Sequence, residues 1–381
     1  MTERYLVQPD LEFIKEIQSL GGETVKKCFQ CATCSVVCPL SPESGPFPRK
    51  EMIAASWGLK DKLINDSDIW LCHECGDCSD KCPRGAKPGD VLSALRAMTI
   101  GHYATPQVLY KAVNDPKKLP VLIGVPAIIF AILAIFTNLF HETLSHGLPE
   151  NVIAHANFIS TWFVDLVFVP LSLFVVAVFA KGLTDFVKNI HENAINEGKV
   201  EIKSLELKPF LQTLIKVIPM ILSHEKFTKC EANKDRSTAH MMVLFSFIGL
   251  AVVTGIFFVV LYVFGIPGPY SQINPVKILA NISGVALVIG GALMIKNRLT
   301  KPDQTSAYKD WYLVGLVFGL GITGMLTQMT RLAGGEYLSY FLYYVHLIFV
   351  FNLFLFLPYS KMAHLVYRTV AITYNEYMGR K

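Results

Sequence analysis

Two patterns of apolar and polar positions divide the chain. Over roughly the first 105 residues, short amphipathic runs such as LEFIKEIQSL and DVLSALRAM alternate with polar, cysteine-bearing loops, which predicts helices packed around those loops. After NDPKKLP (residues 114–120) the pattern becomes long and apolar. Six runs, near residues 120–140, 158–180, 241–265, 276–295, 311–330 and 340–358, can each cross about 30 Å of hydrocarbon as a helix. The expected organisation is a front domain at 1–113, a linker at 114–119 and a membrane domain at 120–381 with a polar loop at 181–239.

Lysine and arginine in the connections set the expected orientation, because cytoplasmic loops are enriched in them. There are ten in 181–239, four in 296–310 and four in 359–381. By contrast 141–157 and 266–275 have none, and 331–339 has only Arg331. Both termini are then expected on the cytoplasmic side of the inner membrane, as is the front domain. MTERYLVQPDLEF has no basic leader, apolar core and cleavage site, which agrees.

Composition strengthens this picture: 52% of residues are hydrophobic, 17% are charged, and the mean hydropathy is +0.40. A net charge of +5, spread over segments flanking apolar runs, does not suit nucleic acid. GLGITG, residues 319–324, matches the glycine pattern of a dinucleotide site, but its neighbours WYLVGLVF and MLTQM are membrane-like. Close helix packing through Gly315, Gly319 and Gly324 is the expected role.

Eight of the nine cysteines lie between Cys28 and Cys82, in two copies of C-x2-C-x2-C-x3-C-P: CFQCATCSVVCP and CHECGDCSDKCP. Three thiolates at two-residue intervals can wrap one corner of an iron-sulfur cubane, and the fourth of each copy ligates the other cluster. The expected sets are Cys28, Cys31, Cys34 and Cys82 for one [4Fe-4S] cluster, and Cys72, Cys75, Cys78 and Cys38 for the second. Zinc would leave the third cysteine and the trailing proline unexplained. The fold class is thus mainly α: an α-helical ferredoxin-like domain with two clusters, then a six-helix membrane domain.

Ionisable groups inside apolar runs point to sites. His346 lies in the sixth run and His364 follows by 18 residues, five turns of a continuous helix and about 27 Å along it. That spacing suits two hemes b stacked across the bilayer, with Pro358 between as the point where a bend is expected. His240, opening the third run, is the expected partner of His364, and His155, at the mouth of the second, that of His346. His141, His146 and His191 are expected to be interfacial anchors. Asp165 is a candidate for taking a proton from quinol or for bonding a neighbouring helix. Arg331 and Glu336 suit a surface pair, and Cys230 a structural thiol.

The order CFQCATCSVVCP, CHECGDCSDKCP, STAHMMVLFSF and VHLIFVFNLFLFLPYSKMAH resembles the fused C subunits of the quinone-interacting membrane-bound oxidoreductase complexes of sulfate-reducing prokaryotes. In that family a part similar to the iron-sulfur C subunit of heterodisulfide reductase precedes a cytochrome b part. The gamma subunit of respiratory nitrate reductase is a more distant likeness. There the last helix carries two heme ligands, matched by His346 and His364, and an earlier helix carries two more. His240 matches one of these, and Leu250 stands where the other is expected.

The resemblance implies electron transfer between menaquinone, heme b and the clusters. The implied partners are the flavin- and iron-sulfur-containing A and B subunits, with adenylylsulfate reductase beyond them. A heterodisulfide-reductase-like or sulfite-reduction-linked complex is the alternative. A zinc-stabilised anchor and a transporter with an iron-sulfur sensor are rivals from other classes. No C-C-G signature of a heterodisulfide-reducing catalytic subunit is present.

Overall fold

A computed structural model describes residues 8–42, 45–140, 152–200, 204–223, 235–300 and 308–379; among these, regular secondary structure is helical, with no strand. His141, His146 and Cys230 lie outside the described residues.

In the front part the short helices α1 (Leu11–Ile17), α2 (Thr33–Val36), α3 (Arg49–Ser56), α4 (Lys60–Ile64) and α5 (Asp77–Asp80) surround α6 (Pro88–Tyr103). The Asp10 carboxylate accepts from the Phe13 N–H at 2.9 Å, capping α1. Pro88 opens α6, where its missing N–H costs nothing, and Val91, Leu92, Ala94, Leu95 and Met98 bury its apolar stripe.

Beyond α7 (Gln107–Asn114) come α8 (Leu119–Leu139), α9 (Thr161–Asn196), α10 (Leu207–Leu222), α11 (Asp235–Tyr262), α12 (Pro275–Thr300), α13 (Tyr308–Leu332), α14 (Glu336–Phe356) and α15 (Ala363–Tyr377). Six segments are long and apolar enough to cross a membrane: those built on α8, α9, α11, α12 and α13, and the one running from α14 into α15. They correspond to the six runs expected from hydropathy. α11 packs on α12, α12 on α13, α13 on α14, and α14 on α8 and α9.

At 36 residues, α9 is about 54 Å long, well beyond the hydrocarbon thickness. Its overhang carries Phe186, Ile190 and Ala194 into one core with Trp70 and Leu95 of the front part and Tyr367, Ala371 and Tyr374 of α15. The core therefore continues across the 114–119 boundary. Gly182 permits this approach: a Cβ there would lie 2.5 Å from the Tyr367 hydroxyl. His191, buried in the overhang with Nδ1 3.1 Å from the Tyr374 hydroxyl, is a core residue and not the expected interfacial anchor.

Phe186 is fully buried, with ring centroids 5.3 Å from Tyr367, 5.4 Å from Tyr103 and 5.7 Å from Trp70. Phe186→Ala should cost about 3–5 kcal/mol through a cavity between the two parts. Denaturant titration of the purified chain checks this; an unchanged midpoint would mean that the junction is not a shared core.

The sixth segment is not one straight helix. α14 ends at Phe356, a short 3-10 turn spans Leu357–Tyr359, and Ser360 is extended before α15. Pro358 has no N–H to continue the ladder, and the Tyr359 hydroxyl pins the break by donating to the Thr105 carbonyl at 2.8 Å. His346 and His364 are thus not aligned on a continuous helix. GLGITG lies within α13, where a Cβ at Gly319 would meet the Phe349 ring at 2.4 Å and one at Gly324 the His346 ring at 3.0 Å. Gly315 has open space around it, so close packing holds at Gly319 and Gly324 and not at Gly315.

Candidate metal centres

The two cysteine motifs share a backbone as well as a spacing. Two and four residues after the first cysteine the chain turns left-handed: Gln30 (φ 60°) and Ala32 (φ 69°) in one copy, Glu74 (φ 53°) and Gly76 (φ 96°) in the other. Three of the four carry a Cβ, which makes the conformation costly. Its effect is to curl N–H groups towards sulfur: Gln30 N–H donates to Cys28 Sγ at 3.4 Å and Glu74 N–H to Cys72 Sγ at 3.3 Å. The one-turn helices α2 and α5 follow and pack together. Arg84, just past the second motif, lies 4.0 Å over the Phe29 ring of the first.

Cys38, the fourth cysteine of the first motif, faces the second. It lines a cavity of about 370 Å³ with Cys72, Cys75 and Cys78, closed by Phe47 and Leu92. Cys34 instead neighbours Cys28 and Cys31, and Cys82, like Cys28, Cys38 and Cys72, is partly buried against the domain core. A Zn–S bond of about 2.3 Å would put tetrahedral sulfurs about 3.8 Å apart. Among the described residues the only three His, Cys, Asp or Glu ligand atoms within 4.8 Å of one another belong to Glu51, Asp66 and Asp68. Among the described residues no three thiols are as close together as tetrahedral zinc requires. Burial and neighbouring cysteines push Cys34 up to about 11; burial and the second-motif thiols do the same to Cys38, and Cys78 goes higher still. Iron would displace those protons.

Behind the second motif Arg96, only 2% exposed, donates to the Ile69 carbonyl at 2.9 Å and to Glu74 at 2.6 Å, and bonds Cys72 as well. Burial alone would raise the Glu74 carboxyl; Lys361 and Arg96 outweigh it and hold the group well below the carboxylate range. The charges continue: Lys361 lies 3.9 Å from Glu74 and 3.1 Å from Asp310, itself 4.0 Å from Arg298. An ion-pair chain thus ties the second motif to the ends of α12 and α13. Sequence reading missed these residues, although Glu74 stands inside CHEC and Arg96 is the lone cation in DVLSALRAM.

The Glu51, Asp66 and Asp68 group is buried and braced by Lys50 on Asp68 and by Lys199, 3.3 Å from Asp66 and 3.5 Å from Asp68. Burial, then Asp66, raises the Glu51 carboxyl well above its usual range against the pull of Lys50. A carboxyl raised in the folded state keeps its proton there and loses it on unfolding, so its contribution to stability falls as pH rises from about 4.3 towards the folded value. Glu51→Gln should therefore raise the unfolding midpoint at neutral and higher pH, with little change near pH 4, in denaturant titrations at both pH values.

The histidines are placed as follows. His346 is half-buried in α14, its Nδ1 2.9 Å from the Thr323 hydroxyl, which fixes the ring's orientation. His155 stacks on Tyr343 at 4.7 Å, while its Nε2 is 2.8 Å from the Ser339 hydroxyl. Burial, then Arg331, Lys277 and His346, holds His155 down to about 4, so it is a neutral imidazole near His346. Arg331 is thus set beside His155. His240 is exposed on α11, which packs along α12, whereas His364 stacks on Trp70 of the front part at 5.5 Å. Leu250 packs among the apolar side chains of α11, α13 and α14. Asp165 accepts a short hydrogen bond from Tyr262, joining α9 to α11.

The family model of the 4Fe-4S dicluster domain matches residues 24–86. The C subunit of the H(2):CoB-CoM heterodisulfide,ferredoxin reductase of Methanothermobacter marburgensis is 40% identical over 88 residues, 23% of this chain and 47% of that one. A protein of Archaeoglobus profundus, described as like the C subunit of heterodisulfide reductase, is 32% identical over 105 residues, 27% and 56% of the two chains. The C subunit of the ferredoxin:CoB-CoM heterodisulfide reductase of Methanosarcina mazei is 30% identical over 89 residues, 23% and 54%. This chain spans about half the length of the curated relatives it matches. No solved structure matches it. The chain therefore joins a 4Fe-4S domain like that of the heterodisulfide reductase C subunit to a region of membrane-type helices.

Proposed function

We propose that this chain is the membrane electron-transfer subunit of a quinone-interacting oxidoreductase complex, relaying electrons between menaquinone, heme b and two [4Fe-4S] clusters. The observation that carries the reading is the shared core: Phe186 of a membrane-length helix packs on Trp70, two residues from Cys72, so the redox domain is built onto the helices and not tethered to them. Cys28, Cys31, Cys34 and Cys82 hold one cluster and Cys38, Cys72, Cys75 and Cys78 the other. Each supplies single-electron steps when bound. Arg96 and the curled N–H groups of both loops stabilise negative charge at the sulfurs. Flavin- and iron-sulfur-containing A and B subunits dock on the exposed cytoplasmic face around the first motif, where Cys31 and Phe29 reach solvent. Adenylylsulfate reductase lies beyond them. A heterodisulfide-reductase-like complex is the second reading, favoured by the C-subunit relatives. Identifying the proteins that copurify with a tagged chain separates the two.

Heme b is held through His346, whose orientation Thr323 fixes, with His155 on the same side after exchanging its bond to Ser339. His364, turned into the front domain by the break at Pro358, is left out of this set, and so is exposed His240. His346→Ala should abolish the pyridine-hemochrome signal, while His240→Ala and His364→Ala retain it. Loss of heme in the latter two and not in the first would reverse the assignment.

A further inference from the structure

A second cavity, of about 420 Å³, lies where the front domain meets the ends of the membrane-length helices, and Glu74 lines both it and the cavity of the second motif. One wall is apolar and aromatic: Ala97 and Ile100 of α6, Tyr110 of α7 and Tyr359. Lys309 at the start of α13 and His364 at the start of α15 also line it. Lys309 Nζ and His364 Nε2 are buried and have no hydrogen-bond partner. The carboxylates, in contrast, are engaged: Glu74 by Arg96 and Lys361, Asp310 by Lys361 and Arg298.

The Glu74 carboxylate in its lining is thus taken, while two buried nitrogens, Lys309 Nζ and His364 Nε2, are left unmatched. Buried donors left unmatched are costly, so the missing occupant is a molecule that brings acceptor oxygens. An apolar, aromatic wall suits a flat ring. It lies beside the start of α13 and the turn that follows α14, at the ends of two membrane-length segments. From the sharing of Glu74, we infer that it is the binding site for a quinone headgroup, whose carbonyl oxygens accept from Lys309 and His364 beside the second cluster. This rests on the quinone reading above and gives it a location. A quinol bound there would give two electrons, one at a time, to the second cluster and release two protons to water; reduction is the reverse.

The test uses the detergent-solubilised full chain with its iron intact and the fluorescent quinol analogue 2-heptyl-4-hydroxyquinoline N-oxide, whose emission is quenched on binding. One site is expected. Lys309→Met, which removes a donor, and Ala97→Leu, which fills the cavity from the other side, should each weaken binding at least about tenfold, the size of about one lost hydrogen bond. Asp165→Asn should leave it unchanged, and excess inorganic phosphate should not displace the analogue. Parental affinity in both cavity variants, with loss in Asp165→Asn, would overturn this location and leave the quinone reading standing. Displacement by phosphate would make the cavity an anion site instead. No quenching by the parent chain would contradict the quinone reading itself.

Discussion

Cys38→Ser should remove the second cluster and spare the first, although Cys38 belongs to the first motif. The reason is geometric: its thiol lines one cavity with Cys72, Cys75 and Cys78, while Cys28, Cys31 and Cys34 keep company with one another. Iron should fall from about eight to about four atoms per chain, with inorganic sulfide in step. Electron paramagnetic resonance of the reduced variant should show one cluster without the coupling of two. Cys82→Ser should give the complementary loss. If Cys38→Ser instead removed the cluster of Cys28, Cys31 and Cys34, each motif would be self-contained and the crossed assignment wrong.

The second large effect is at Arg96. This guanidinium is buried, bonded at once to the Ile69 carbonyl, to Glu74 and to Cys72, and it neutralises one end of the ion-pair chain reaching Asp310. Arg96→Met leaves the partly buried Glu74 carboxylate without its closest cation, which should cost about 3 kcal/mol in chemical unfolding. Arg96→Met with Glu74→Gln should recover part of that loss, because the stranded charge is gone. A purely structural role would stop there. Loss of a positive charge and a donor at Cys72 should in addition move the second cluster to a more negative midpoint potential, read by redox titration. Arg96→Lys should correct the charge but not the geometry, since an ammonium cannot reach three acceptors in a fixed fork. An unchanged potential in Arg96→Met would place the residue outside the cluster's surroundings.

Much of this architecture is written in local pattern. Hydropathy located all six membrane-length segments because each is decided by its own composition. The cysteine spacing carries the expectation of crossed sets because two-cluster motifs of this spacing send their fourth cysteine to the other cluster. Long-range packing is a different matter. Nothing local marks the overhang of α9 as part of the front core, since Phe186, Ile190 and Ala194 form an ordinary helical stripe until Trp70 and Tyr367 meet them. The alignment of His364 with His346 is lost for a related reason: five whole turns of spacing count only along an unbroken helix, and Pro358, fastened through Tyr359 to Thr105, ends it. Glu74, Lys309 and Lys361 look like scattered charges in the sequence. They become one site only where α6, α13 and the start of α15 converge.

If a continuous path of redox centres runs through one folded chain, from the membrane helices to two clusters at its front, the purified protein must carry all of them together. Visible spectra before and after dithionite, with iron, sulfide and pyridine-hemochrome assays on the same sample, decide the matter. About eight irons and about eight sulfides with a reducible b-type heme are expected. A colourless, zinc-containing chain without sulfide would rule the path out, and clusters without any heme would confine electron transfer to the front domain.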